Sequence, residues 1–259
     1  MITKSFVFDF ASQICNLYYN NKDNFKRSLS WSQYLNKQEQ RKMDKDFSVN
    51  SDYRFERGEQ SVENLSSEPL SLEVIFHRYG IERSHADNVA RNALELFDIL
   101  DSIHGINPEM RKFVEVAALV HDTGMATDLE NHHKAGRNIL RLHPPAELPE
   151  KLWPVVAWTT FLHKKKIKKE KLEELERKSF GKMPEDLQDL TLKAASLIRL
   201  ADALDYSRME SRIGKVKFGK MNVIFEIEGL GAAIDAERMN QKGDLWNLLY
   251  ATKLDFRSV

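Results

Sequence analysis

The residues with the clearest chemical potential are His121 and Asp122, which stand together at the end of an apolar stretch. Phe113, Ala117 and His121 are spaced four apart, which predicts that His121 projects from the buried stripe of an amphipathic helix. Neutral imidazole and carboxylate oxygen together suit Fe, Mn, Zn or Co. Taken alone, such a pair is more simply explained as a hydrogen-bonded core histidine beside an aspartate that turns the chain. The rest of the sequence has to distinguish a metal site from a structural histidine beside an aspartate in a turn.

Two further ligand-type residues occupy apolar stripes. His85 begins the stripe of a helix predicted over 82–104, and Asp202 directly follows Ala201 in a helix predicted over 187–205. An unpaired carboxylate on a buried face would be costly. Three helices that each point such a residue inward favour one shared site over three unrelated core groups.

The elements that must position these residues are predicted to be mostly helical. Apolar residues recur at helical spacing, and glycines such as Gly80 and Gly105 end the segments. These helices cover 70–79, 82–104, 108–122, 132–142, 147–163 and 187–205. The period then changes to that of two strands, 216–218 and 223–227, followed by a short helix over 245–254. The predicted fold class is mainly α, a helical bundle with a small C-terminal α/β appendage.

Composition describes an ordinary soluble chain of 259 residues, long enough to bury a core. Lysine plus arginine and aspartate plus glutamate number 39 each, so bulk charge gives no basis for nucleic-acid binding. The single cysteine, Cys15, fits a reducing compartment. No apolar run reaches membrane-spanning length, and Met1-Ile2-Thr3-Lys4 is not followed by a secretory core. We therefore expect a cytoplasmic protein with no membrane partner.

Residues 1–69 differ in composition from the rest of the chain. A helix is predicted over 4–19, whereas 20–67 is rich in polar and charged residues and cannot bury much surface. Its apolar cluster around Trp31 and Tyr34 predicts either an anchor on the body or a homodimer contact. The predicted division is a polar N-terminal segment over 1–69, a helical domain over 70–210 and a small α/β subdomain over 211–259.

The order His85…His121-Asp122…Asp202 in these helical settings resembles the signature of the HD superfamily of metal-dependent phosphohydrolases. Longer runs resemble the C-terminal HD region of the exopolyphosphatase and guanosine pentaphosphate phosphatase (Ppx/GppA) family, from about residue 70 to the end. These runs are Arg83 to Val89, Leu96 to Asp98, His104-Gly105, His132-His133-Lys134 and Leu197 to Arg208. That family's phosphatase centre lies in N-terminal actin-like domains with glycine-rich phosphate loops. Residues 1–69 contain a single glycine, Gly58. Polyphosphate hydrolysis by the family's usual site is therefore not expected.

The resemblance implies a ligand set and a mechanism. His133 resembles the His-x-x-Gly helix start of binuclear HD domains, and Asp122 would be the catalytic residue that bridges two ions and orients the attacking water. Ala135 and Lys164 stand where some relatives have further histidines, so the number of divalent ions (Mn, Fe, Zn, Co or Mg) stays open at one or two. The implied metal ligands are His85, His121, Asp122, His133, His163 and Asp202.

Positive side chains near the predicted site are candidates for binding phosphate oxygens. Arg199 shares a helix face with the predicted ligand three residues later, and Arg208, Lys134 and Lys164 lie close to ligands in sequence. The alternative for each is a solvated surface charge or a charge near a helix C-terminus. The lysine-rich run 164–169 is likewise either a solvated face or a patch that draws polyanions.

Three functions follow from these observations. The leading one is a metal-dependent phosphohydrolase that acts on a phosphoester, nucleotide or polyphosphate through metal-activated water. The second is a non-catalytic HD module that binds a polyanion or nucleotide for regulation, and the third is a di-iron oxygenase. The full set of inward ligands favours the first over the second, because a scaffolding domain has no physical need for it.

Overall fold

The computed structural model describes residues 67–259 of the chain. The helix predicted over 4–19 and the cluster around Trp31 and Tyr34 lie outside the described residues. Within the described part, none of the helices combines the length and apolar character needed to span a membrane.

Helices dominate the described residues, which confirms the mainly α fold class. Short 3-10 turns at Pro108–Met110 and Glu150–Leu152 each lead directly into a helix. The helices are α1 Leu72–Tyr79, α2 Arg83–Ile99, α3 Asp101–His104, α4 Arg111–Leu119, α5 His132–Leu142, α6 Trp153–Leu162, α7 Lys169–Glu176, α8 Glu185–Leu204, α9 Ala232–Lys242 and α10 Asp244–Leu249.

One helix boundary differs from the sequence prediction in a way that shapes the site. The helix predicted over 108–122 ends at Leu119, and Val120 leaves the helical conformation with φ −104° and ψ 7°. His121 and Asp122 therefore lie in the turn after α4. Consecutive helical residues project about 100° apart. A turn removes that restriction, so both side chains can point into the same space.

The C-terminal segment forms a three-stranded sheet of order β1-β2-β3. The strands are β1 Arg212–Phe218, β2 Asn222–Glu228 and β3 Lys253–Ser258. The predicted β1–β2 hairpin is confirmed as an antiparallel pair, and β3 pairs with β2 in parallel. The helix predicted over 245–254 is wrong in its second half, because that part of the chain turns and enters β3. α9 and α10 form the crossover that parallel pairing requires.

One large hydrophobic cluster joins the helices to the sheet. Leu96 of α2, Val116 of α4 and Leu197 of α8 are buried in the same cluster as Phe225 of β2 and Trp246 of α10. The described residues accordingly belong to one compact unit. The boundary predicted between 210 and 211 thus marks a change of secondary structure, with the core continuous across it.

Two glycines let the turn after α4 approach α5 and α6 closely. A Cβ atom on Gly124 would lie 2.1 Å from the His132 carbonyl oxygen, and one on Gly136 would lie 2.8 Å from Thr160 Cγ2. The first contact involves backbone, so no side-chain rotation relieves it. The close approach brings the His121-Asp122 turn against the start of α5.

We expect Gly124→Ala to lower the free energy of unfolding by about 3 kcal/mol or more, because the added methyl group forces the turn away from α5. Chemical denaturation of both proteins measures the difference. Gly243→Ala is the matched control, since its Cβ would meet no atom closer than 3.6 Å. Equal losses in the two variants would contradict the close-approach argument.

Candidate metal centre

Four imidazoles and two carboxylates converge where the helices of the bundle meet. The helices that carry them are held together by the shared core, so segments far apart in sequence supply one cluster. The four histidines are buried, whereas the two carboxylates are partly accessible. The members are His85 of α2, His121 and Asp122 of the turn after α4, His132 of α5, His163 directly after α6 and Asp202 of α8.

The two carboxylate oxygens of Asp122 face different pairs of imidazoles. Its Oδ2 lies 3.5 Å from His121 Nε2 and 3.7 Å from His85 Nε2. Its Oδ1 lies 3.4 Å from both His132 Nε2 and His163 Nε2. Asp122 therefore divides the cluster into two half-sites that share its carboxylate. We call the pair His85 and His121 with Asp122 the first half-site, and the pair His132 and His163 with Asp122 the second half-site.

Asp202 belongs to the first half-site. Its Oδ1 lies 3.5 Å from His85 Nε2 and 3.8 Å from His121 Nε2. The first half-site thus brings together two imidazoles and two carboxylates, and the second brings together two imidazoles and the shared carboxylate.

Hydrogen bonds at Nδ1 fix the orientation of the imidazoles. In three of them the Nδ1 partner is an oxygen that accepts, so the Nδ1 atom carries the proton and Nε2 presents a lone pair. The partners are Asp205 Oδ2 for His85 at 2.6 Å, the Ala118 carbonyl for His121 at 2.7 Å and the Thr160 carbonyl for His163 at 2.5 Å. This is the arrangement in which histidine binds a metal through Nε2.

The donor set suits a divalent cation. The buried Nε2 atoms of His85 and His121 have no hydrogen-bond partner, and their lone pairs face carboxylate oxygens. In the second half-site the Nε2 atoms of His132 and His163 face each other at 3.1 Å. Lone pairs and negative oxygens repel one another unless a positive charge lies between them. Imidazole nitrogen with carboxylate oxygen suits Zn, Fe, Mn or Co.

Burial and mutual contact shift the pKa values of these groups. Burial, with a contribution from His163, lowers the pKa of His132 to about 4, and burial also lowers the pKa of His163. Burial would raise the pKa of Asp122, but the imidazoles around it outweigh burial and hold the pKa of this carboxyl below its usual range. At neutral pH His132 and His163 are therefore neutral and Asp122 is ionised in the metal-free centre, which is the protonation state that metal binding needs.

The structure places His132, and not His133, in the second half-site. The two residues are adjacent on α5, so their side chains point in different directions and only one of them reaches Asp122. The His133 ring instead packs near Phe161, with 5.4 Å between ring centroids. The structure therefore does not bring His133, which was predicted as a ligand, into the cluster, and its neighbour His132 lies there in its place. The other five predicted ligands are brought together.

Arg199 is not available to a phosphate group, contrary to the sequence prediction. Its side chain is 1% exposed, and Nη1 donates to the carbonyl oxygens of Leu162, His163 and Lys165. Its Nη2 pairs with Asp244. The guanidinium therefore binds protein groups on the side of α8 that faces the end of α6.

The two lysines predicted to bind phosphate, Lys164 and Lys134, differ in their surroundings. Lys164 Nζ donates to the Leu129 and Glu130 carbonyls and lies 3.0 Å from His132 Nδ1, which is also 3.0 Å from the Leu129 carbonyl. Lys134 is exposed on the first turn of α5. Neither position tests a role in substrate binding, which stays a prediction for both lysines.

Asp205 contacts a histidine of the cluster and was not among the residues predicted for the site. It accepts from His85 Nδ1, from Asn88 Nδ2 at 3.0 Å and from Arg208 Nη1 at 3.0 Å, and it is 3% exposed. Burial raises the pKa of Asp205 to about 6. The available signal was its spacing of three residues from Asp202, since residues three apart share a helix face, although α8 ends at Leu204 and Asp205 lies at its C-terminal cap. Arg208, predicted to meet phosphate, contacts the centre through this carboxylate.

The fold and the site define a class of domain, a helical bundle in which buried histidines and aspartates converge on one carboxylate. Residues 69–228 match the family described as Ppx/GppA phosphatase, domain III. The match covers more than half of the chain, so the chain belongs to this phosphatase-related family. No curated protein matches the chain.

We expect the free energy of unfolding of the metal-free protein to fall as the pH is lowered from 6.5 to about 4. In that range the unfolded chain binds protons at His132, His133 and His163 that the folded chain excludes, so acid favours unfolding. Asp205, Asp235 and Glu95 act in the opposite sense, because burial raises the pKa of each in the folded protein. The lowered pKa values of His104 and Asp122 add to the effect of the three histidines.

Denaturation of the metal-free protein at a series of pH values measures this dependence. His132→Gln removes one of the three histidines, so its stability should fall less steeply over the same range. A slope unchanged by His132→Gln would show that His132 titrates normally in the folded protein.

Proposed function

We propose that this protein is a metal-dependent phosphohydrolase, with Asp122 as the residue that organises its centre. The observation that carries the proposal is that imidazole Nε2 atoms face both carboxylate oxygens of Asp122, and that the Nε2 atoms of His85 and His121 have no hydrogen-bond partner. Membership of a phosphatase-related family supports the choice of phosphate chemistry.

The proposed ligands of one ion are His85, His121, Asp122 and Asp202, and those of a second ion are Asp122, His132 and His163. When bound, such ions lower the pKa of water and polarise phosphoryl oxygens, which is the chemistry that phosphoester hydrolysis needs. The protein's own contribution is to hold the imidazoles in the tautomer that leaves Nε2 free. Asp122 presents one oxygen to each half-site and so keeps the two at a fixed spacing.

Positive charge near the second half-site supports a phosphate-containing partner. A cleft of about 470 Å³ is lined by residues adjacent in sequence to His132 and His163. Phe161 and Ile167 supply apolar lining. Five lysines line it as well, Lys134, Lys165, Lys166, Lys168 and Lys171. Lys171 pairs with Glu174, whereas the other four have no ion pair with a described residue.

This cleft also favours the second candidate function, a module that binds a polyanion without hydrolysing it. A volume of this size is typical of small-molecule sites. Ammonium groups with no carboxylate partner attract phosphate oxygens. The two functions share the ligand class and differ in whether the metal centre acts on it.

The first experiment measures metal content and hydrolysis together. Wild-type protein purified without chelator is expected to contain divalent metal and to hydrolyse a member of a panel of phosphoesters, nucleotides and polyphosphate. The double variant His121→Ala, Asp122→Ala should lose the metal, because it removes His121 from the first half-site and the Asp122 carboxylate from both half-sites. Its hydrolysis should fall to the background rate.

The control is His104→Asn, which alters a buried histidine outside the centre. His104 bonds to the Phe97 carbonyl and the Ile106 amide, so its loss should reduce stability and leave metal content unchanged. A folded wild type that binds none of Mn, Fe, Zn or Co when they are offered would refute the proposal. Binding of metal and polyanion without hydrolysis would favour the module, and a di-iron pair that consumes oxygen would favour an oxygenase.

The cleft gives a separate prediction. Lys165→Glu with Lys166→Glu reverses two charges, so affinity for inorganic tripolyphosphate, measured by calorimetry at low salt, should fall about tenfold or more. Lys220→Glu with Lys253→Glu reverses two exposed charges, one in the β1–β2 turn and one at the start of β3, and is the matched control. Equal losses in both variants would show that the attraction comes from net charge alone.

A further inference from the structure

Two buried cations hold the carbonyl groups at the end of α6. These carbonyls have no partner within the helix, because the last turn of any helix leaves its carbonyls unpaired. Arg199 Nη1 lies 2.7 Å from the Leu162 oxygen, 3.0 Å from that of His163 and 2.8 Å from that of Lys165. Positive charge at a helix C-terminus is also favoured by the helix dipole. The first cation thus spans the residues on both sides of His163.

The second cation comes from the C-terminal segment. Lys242, the last residue of α9, places Nζ 3.1 Å from the His163 oxygen and 2.8 Å from the Lys164 oxygen. The His163 carbonyl therefore receives donors from both α8 and α9. Lys242 is 6% exposed, so its charge depends on these protein oxygens in place of water.

Asp244 connects this arrangement to the next part of the chain. One of its oxygens pairs with Arg199 Nη2, and the other accepts from the Ile167 amide at 2.6 Å. Asp244 therefore fixes both a cation that holds the end of α6 and the backbone that follows it. We call Arg199, Lys242 and Asp244 the clamp.

We propose that the clamp is a set of positioning residues for His163, and through it for the second half-site. The clamp fixes the backbone from Leu162 to Ile167, and the Nδ1 bond to the Thr160 carbonyl fixes the ring. Together they hold Nε2 at 3.4 Å from Asp122 Oδ1. The inference rests on the proposed metal centre.

Two of the three clamp residues lie beyond the family match, which ends at residue 228. Lys242 and Asp244 belong to the crossover between β2 and β3. The C-terminal α/β segment is therefore part of the centre's support, although it contributes none of the proposed ligands.

The energy of a buried charge network helps to distinguish a positioning role of the clamp from a purely stabilising one. Buried charge networks are often no more stabilising than well-packed apolar groups, because desolvation offsets their attraction. What they supply is a fixed geometry. Loss of the clamp should consequently weaken the second half-site selectively, with the first half-site unchanged.

The test compares the affinity of the two half-sites for metal. Lys242→Met keeps the length of the side chain and removes its charge. Titration of metal-free protein with Zn, followed by equilibrium dialysis and elemental analysis, should show two ions in the wild type. In the variant the dissociation constant of the more weakly bound ion should rise about tenfold to a hundredfold. This is the usual effect of losing an outer-shell partner of a ligand.

Two variants serve as controls. Lys242→Arg keeps a donor cation and should restore most of the second affinity, whereas Lys253→Met removes an exposed lysine of the same segment and should change neither constant. If Lys242→Met fails to fold, Asp244→Asn is measured in the same way. Amide exchange over 160–167 should also accelerate in the clamp variants, because the backbone there loses its partners.

The outcomes distinguish the two proposals. A wild type that binds no metal would refute the proposed function. A wild type that binds two ions, with both constants unchanged in Lys242→Met, would overturn the clamp alone. The clamp is also overturned if the wild type binds a single ion that His132→Ala does not affect.

Discussion

The structure depends on a constraint of imidazole chemistry, namely that a neutral ring carries its proton on one nitrogen and a lone pair on the other. Wherever Nδ1 is held by an accepting oxygen, Nε2 has to present the lone pair. His85, His121 and His163 are held in this way by a carboxylate or a backbone carbonyl. Their lone pairs then converge on Asp122. A positive charge between the lone pairs and the carboxylate removes the repulsion between them.

The fold supplies these accepting oxygens at helix ends. Ala118 and Thr160 lie in the last turns of α4 and α6, where carbonyl groups lack helical partners. A histidine three residues later can bend back and donate to such a carbonyl. Ending both helices next to the centre thus serves two purposes, because it satisfies the backbone and it orients the ring. The glycines at 124 and 136 then allow the two ends to come close.

Part of this centre was predictable because its residues continue the spacing of apolar stripes in the sequence. His85, His121 and Asp202 were identified by their helical spacing, and the mainly α class followed from the same periodicity. The choice between His132 and His133 was not, since it depends on the helical phase of α5, which a short motif does not fix. The role of Arg199 was equally inaccessible, because its partner Asp244 lies 45 residues later and belongs to another element.

The sheet shows the same limit. The β1–β2 hairpin is local, so alternation and a turn sufficed to predict it. β3 was missed because its partner, β2, is parallel and separated from it by α9 and α10. A pattern of a few residues cannot reveal a neighbour that arrives after a crossover.

That parallel pairing has a consequence for the order of folding. β3 has to close the crossover between Glu228 and Lys253 before it gains its hydrogen bonds, and His85 of α2 meets Asp202 of α8 across a still longer stretch of chain. Lys242 and Asp244 lie inside the crossover. Both half-sites therefore depend on contacts between distant parts of the chain, and the cluster is complete only after the individual helices have formed and packed.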